Sequence, residues 1–195
     1  QLLITLYWRA VAPMIQDYNL FLHVLGQGRA LVGSVDTWPG GGLRPTSLWK
    51  TGDIYRDTYV IQLDSNAATP SQLWLDVAMW DHDPGQPLPI TGPDSAPIPS
   101  VIVPVGRIDS PEPLAATPAT SVGSTLEGGI TLIGFDLPRS PITNQPITLS
   151  LYWQTSEVLP LDYTVFIHMI DASGGQFAAD GPPLNGDWPT SAWQA

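Results

Sequence analysis

The sequence repeats itself, and the repeat restricts what the chain can fold into more than any other feature. Leu2-Leu3-Ile4-Thr5-Leu6-Tyr7-Trp8-Arg9 returns as Ile147-Thr148-Leu149-Ser150-Leu151-Tyr152-Trp153-Gln154. Asp17-Tyr18 with Phe21-Leu22-His23 returns as Asp162-Tyr163 with Phe166-Ile167-His168, and Pro45-Thr46-Ser47-Leu48-Trp49 as Pro189-Thr190-Ser191-Ala192-Trp193. Tyr7 and Tyr152 are 145 residues apart, and Trp49 and Trp193 are 144 apart. Nothing after Trp193 matches residues 50–107, and nothing before Gln1 matches residues 125–140. The expected organisation is a first module at 1–108 that lacks its opening strand, a linker at 109–124, and a second copy at 125–195 that is incomplete at its C-terminal end.

Each copy reads as β-structure. In residues 2–9, Leu2, Ile4, Leu6 and Trp8 alternate with Leu3, Thr5, Tyr7 and Arg9, the period of a strand with one buried face. Residues 18–25 are apolar on both faces, the pattern of a central strand. Further strands are expected at about 30–36, 54–63, 72–80, 100–107, 129–136, 146–154, 163–170 and 176–180. The 21 prolines and 18 glycines fall between these runs and leave no convincing helix. Short strands at this spacing predict an all-β chain of tandem antiparallel β-sandwich modules, immunoglobulin-like or jelly-roll-like, the first near complete and the second truncated. The stretch 109–124, rich in Pro, Ala, Ser and Thr, is a semi-extended spacer.

Charge narrows the functions. The net charge is −11, with one lysine and six scattered arginines, so no basic face exists to neutralise phosphates. Nucleic acid is thereby disfavoured as a partner, and so is an anionic membrane surface. No apolar run is long enough to span a bilayer, so no membrane insertion by this segment is expected. The absence of cysteine rules out a disulfide scaffold, thiolate metal sites and a Cys nucleophile.

The motifs resemble a β-sandwich module at the extracytoplasmic ends of large polytopic membrane proteins of filamentous phototrophic bacteria, related to dolichyl-phosphate-mannose-type glycosyltransferases. The residues that carry the likeness are Leu6-Tyr7-Trp8, Asp17-Tyr18, Phe21-Leu22-His23, Asp36, Pro45 to Trp49, Gly52-Asp53, Asp57-Thr58-Tyr59 and Trp80-Asp81. The resemblance implies a β-sandwich that is extracellular or at the cell surface. It implies no transferase activity, because the membrane-spanning catalytic part is not in this segment.

Candidate site residues are few. On the strand at 72–80, Leu73, Leu75, Val77 and Met79 face one way, and Trp74, Asp76, Ala78 and Trp80 the other. Two tryptophans six residues apart on a strand are about 20 Å apart. That face suits several sugars of a cell-surface polysaccharide, or burial under the second module or another chain. Trp38 and Trp188, in loops, either stack on sugar rings or plug the ends of the sandwich. Trp8 and Trp153 read as core, and His23 and His168 as hydrogen-bonded histidines. Asp36 and Asp180 read as braces for the loops that follow them. Asp81 and Asp83 form a turn, with calcium as the minor alternative. No other cofactor is expected, and no nucleophile elbow, dinucleotide fingerprint or phosphate loop occurs. The expected function is non-catalytic, structural or adhesive. Its expected partners are like chains or neighbouring modules, joined by β-strand pairing into an oligomer. A carbohydrate-binding module is the alternative, and an accessory domain of a glycan-processing enzyme a third. Residues 129–136 are of the type that would supply the opening strand of the first module: they fold back and close it, or a neighbouring chain completes the second module, or the chain is part of a longer tandem array.

Overall fold

The computed structural model describes residues 1–81, 85–110, 117–138 and 146–193. It is all-β, and its helical pieces are 3-10 turns of three or four residues. The chain divides into two compact units, Gln1–Ile108 and Asp109–Ala195.

The first unit is a two-layer sandwich. One layer pairs β1 (Leu2–Arg9) with β4 (Ile54–Ile61), antiparallel, from Leu2 opposite Ile61 to Arg9 opposite Ile54. The other places β2 (Tyr18–Leu25) between β3 (Leu31–Thr37) and β5 (Ser71–Asp81), and β9 (Val101–Ile108) lies on the far edge of β5. Three short strands, β6 (Gln86–Pro87), β7 (Ile90–Thr91) and β8 (Pro97–Ile98), decorate the connection from β5 to β9. Alternation fixes which side chains meet between the layers. Ile4, Tyr59 and Ile61 from the first layer pack against Leu20, Leu22, Val24, Val32, Leu73, Leu75 and Val77 from the second. Leu2, Leu6, Trp8 and Met79 close the rim of this core, on the faces the sequence pattern assigns them. Gly33 is required where β3 runs beside the connection after β4, since a β-carbon there would stand 2.6 Å from the carbonyl oxygen of Gln62.

The second unit is built from fewer strands. β10 (Thr120–Leu126), β11 (Ile130–Asp136) and β12 (Ser150–Thr155) form a three-stranded sheet with β11 in the middle. β13 (His168–Ile170) and β14 (Gln176–Ala178) form a small hairpin, extended by one bridge between Val165 and Gly181.

Three expectations need correction here. Residues 120–124, expected as part of the linker, belong to a strand that pairs with β11. Their small polar side chains hide the strand signal, because β10 is an exposed edge and needs no apolar face. The segment 129–136, considered as the first unit's opening strand, pairs with β10 and β12 of its own unit. The copy of β2, expected over 163–170, contracts to three residues, because no counterpart of β5 lies beside it among the described residues.

Candidate functional site

The repeated motifs build the same hydrogen-bonded latch in both units. The buried Thr46 hydroxyl donates to the carbonyl of Gln16 (3.1 Å) and accepts from the amide of Tyr18 (3.0 Å). Its copy Thr190 donates to Leu161 (2.9 Å) and accepts from Tyr163 (2.8 Å). The Ser47 amide donates to Asp17 at 2.8 Å, and the Ser191 amide to Asp162 at 3.0 Å. The indole of Trp49 donates to the carbonyl of Arg44, and that of Trp193 to the carbonyl of Trp188. The Thr hydroxyl and the Trp indole of the Pro-Thr-Ser-x-Trp motif are thus spent on backbone groups of their own unit, and the Ser amide on an aspartate of the same unit. The latch ties the loop to the start of the β2-type strand, and its chemistry is architectural.

The histidines also repeat their partners. His23 Nε2 lies 3.2 Å from Asp36 Oδ1, and His168 Nε2 lies 3.4 Å from Asp180 Oδ2. Asp36 faces Phe21 across the β2–β3 ladder and meets His23 diagonally, and the Phe21 ring stacks on His23 at 4.7 Å. Asp36 and Asp180 therefore bind the histidine of the neighbouring strand, in place of the expected loop-bracing role; Asp180 also accepts from the amide of Ile167.

His23 opens the outer face of the larger sheet of unit 1. The register sets Asn19 beside Trp80, Phe21 beside Ala78, His23 beside Asp76 and Leu25 beside Trp74. Trp80 is 36% exposed. Trp74 is half-buried, and the guanidinium of Arg29 lies 3.9 Å above its ring, which covers one stacking surface. Arg29 escapes a sequence reading because its position depends on the tight turn at Gly28-Arg29, where it adopts a left-handed φ of 61°. Asp76 Oδ1 and Asn19 Oδ1 are enclosed and have no hydrogen-bond partner among the described residues. Trp74, Asp76 and Trp80 therefore share one face as expected, with His23, Asp36 and Phe21 added to it.

The remaining candidates do not join this face as a single site. Trp38, 36% exposed, follows β3, and its carbonyl accepts from Gly42. Trp188 is half-buried in the second unit, next to Pro189 and at the position Arg44 takes in the first. Asp81 accepts a hydrogen bond from the Gln16 side chain, which holds the end of β5 to the loop after β1. Asp83 lies outside the described residues. Among those described, no group of three or more His, Cys, Asp or Glu side chains could hold a metal ion.

The two units differ most around the latch tryptophan. In unit 1, Trp49 is 7% exposed, stacks on Tyr55 of β4 at 4.5 Å with ring planes 16° apart, and lies 6.5 Å from Trp8. The Tyr55 hydroxyl accepts from the amide of Lys50 at 2.8 Å. Asp57 of β4 is buried and accepts from the amide of Gly40 (2.8 Å) and the hydroxyl of Tyr59 (2.9 Å). Burial and the adjoining Asp57 carboxylate push the Tyr59 phenol well above its usual pKa. In unit 2 the corresponding interior is an open apolar pocket of about 300 Å³, lined by residues that include Trp153, Tyr163, Val165, Phe166 and Trp193. Sequence spacing could not find this pocket, because its lining comes from segments far apart in the chain, from Leu126 to Trp193.

No protein-family model, curated protein or solved structure matches this chain.

Proposed function

We propose that this chain is a non-catalytic β-sandwich repeat protein of the cell exterior, structural or adhesive, whose units are completed by pairing with β-strands of neighbouring units or chains. The observation that carries this reading is the repeated latch around two unequal interiors. Thr46 and Thr190 make the same bonds, yet Leu20, Leu22 and Val24 are fully buried in unit 1, while their counterparts Val165 and Ile167 are half-buried and Met169 is exposed in unit 2. A unit that keeps its local framework but leaves apolar strand residues open is suited to receiving a strand. The extracellular setting comes from the motif resemblance alone. Light scattering on the eluting chain, with a hydrophobic dye as a second readout, tests the pairing. Concentration-dependent association is expected, and a clean monomer that binds no dye would remove the reading.

The outer face of unit 1 favours carbohydrate binding as a second reading. It offers Trp80, an enclosed Asp76 oxygen without a partner, and the His23–Asp36 pair on one sheet surface. Aromatic surface flanked by fixed polar groups suits a sugar ring, although Arg29 already covers Trp74 on one side. A glycan array compared with the Trp74→Ala, Trp80→Ala double variant decides it: binding that survives the variant, or no binding at all, excludes a lectin.

A further inference from the structure

We infer that Asn185-Gly186 in unit 2 is a self-modification site, where the asparagine amide converts to an acid, and that the conversion loosens the second latch. Such a conversion needs an asparagine side chain that is uncommitted and reachable by water. It also needs a following residue whose backbone nitrogen can approach the side-chain carbonyl. Glycine allows the closest approach, because it has no β-carbon.

The chain has four asparagines, Asn19, Asn66, Asn144 and Asn185, and of these Asn185 alone precedes a glycine. Asn185 is exposed in the 3-10 turn Pro183–Gly186, and its side chain makes no hydrogen bond to the described residues. Asn66 precedes Ala67, and its backbone and side-chain nitrogens both donate to Asp64. Asn19 is held within β2 opposite Trp80, and its side-chain oxygen is enclosed. Asn144 lies outside the described residues.

The turn sets when the reaction runs. Asn185 has φ 55° and ψ 27°, which points the Gly186 nitrogen away from the Asn185 side chain. The reaction therefore passes through local opening of the turn. Backbone bonds from Asn185 to Pro182 (3.1 Å) and from Asp187 to Leu184 (3.0 Å) oppose opening. Leu184 favours it, because its left-handed φ of 47° is a strained conformation for leucine, and opening relieves the strain.

The chemistry needs only water. The deprotonated Gly186 nitrogen attacks the side-chain carbonyl carbon of Asn185, a C–N bond closes a cyclic imide, and ammonia leaves. Water then opens the imide at either carbonyl, giving aspartate or isoaspartate. Isoaspartate carries the main chain through the side-chain carbon and lengthens it by a methylene. That extra length enters the turn just before Trp188, whose carbonyl holds the Trp193 indole, and Thr190, whose hydroxyl holds Leu161 and Tyr163. Unit 1 has Gly41 at the same place and has no amide there to convert.

The test is to age the full chain in warm, mildly alkaline buffer and map its peptides by mass spectrometry. Conversion at Asn185 should be at least tenfold faster than at Asn19 or Asn66. Part of the product should resist an aspartate-specific protease, which does not cut at isoaspartate. Asn185→Gly, which copies unit 1, should remove the fast conversion and keep the turn. In the converted fraction the amides of Tyr163 and Ser191, both held in the second latch, should exchange hydrogen at least tenfold faster. Those of Tyr18 and Ser47 in the first latch should not change. Conversion at Asn185 no faster than at the other two sites, or second-latch amides that keep their original exchange rate after conversion, overturns the inference.

Discussion

Strand β2 and its copy at 163–170 carry nearly the same side-chain pattern and meet opposite fates. In unit 1, Leu20, Leu22 and Val24 are fully buried between β3 and β5, over a core shared with β1 and β4. In unit 2 the corresponding Val165, Ile167 and Met169 are half-buried or exposed, and only His168–Ile170 holds a strand ladder. The latch residues at the two ends of the motif make the same bonds in both places. Hydrogen bonds between the repeated motifs, 27–30 residues apart, therefore form in both units, whereas strand formation and burial depend on a neighbour to pair with. A strand without partners cannot satisfy its backbone or bury its apolar face, whatever its pattern.

The comparison is most exposed to failure in the core. Leu22→Ala should destabilise unit 1 by about 3–5 kcal/mol, since its side chain is fully enclosed. The equivalent Ile167→Ala should cost unit 2 less than about 1 kcal/mol, as expected away from a packed core. Denaturant unfolding followed by hydrogen exchange, which resolves the two units, measures both; equal losses would show that unit 2 has a packed core after all.

Next in size is the latch. Thr46→Val and Thr190→Val each strip a donor and an acceptor from buried backbone groups, a loss of about 1–3 kcal/mol. The two costs should agree within the error of the same unfolding experiment. A loss confined to Thr46→Val would mean that the second latch depends on packing that unit 2 lacks.

A smaller effect of opposite sign is expected at the loop turn. Leu184→Gly should stabilise unit 2 by about 1 kcal/mol, because glycine adopts the left-handed conformation without steric cost. No gain in the unfolding midpoint would show that Leu184 carries no strain in this turn.

The subtlest difference is in pH. Tyr59 has a raised pKa in the folded state, so its contribution to unit 1 is complete below the ordinary tyrosine value near 10 and is lost as pH rises past it. Asp136 in unit 2 is shifted the other way, because the Tyr152 hydroxyl and the Ala119 amide both donate to its carboxylate. Its contribution is present above the usual carboxylate value near 4 and fades as pH falls through the lowered one. Unfolding midpoints measured across pH should lose their alkaline slope for unit 1 in Tyr59→Phe, and part of their acid slope for unit 2 in Asp136→Asn.

Much of the fold was legible beforehand, for identifiable reasons. β1 spans Leu2–Arg9, as its alternation predicts, because it has one apolar face that matches its burial; β2 spans Tyr18–Leu25 as expected, but it is fully buried on one face only, since Asn19, Phe21 and His23 on the other are half-buried. β10 was not legible, because Thr120 to Leu126 form an exposed edge whose small polar side chains look like a linker. On the outer face of unit 1, Trp74, Asp76 and Trp80 could be placed together from strand period alone. Phe21, His23 and Asp36 joined them only through register across three strands, and Arg29 through a turn whose geometry no periodicity reports.

By itself the sequence determined the duplication, the β character, the inward and outward faces of each strand and the paired latch motifs. These follow from period-two alternation, turn residues and the repeated motif residues. Tertiary structure alone decided that β12 takes β11 where β1 takes β4, that Tyr55 covers Trp49 while Trp193 lines an open pocket, and that one copy of β2 is central while the other, among the described residues, is paired on one side only. The physical reason is that strand pairing is made between segments far apart in the chain. Two copies of one sequence therefore reach different burial whenever their distant neighbours differ.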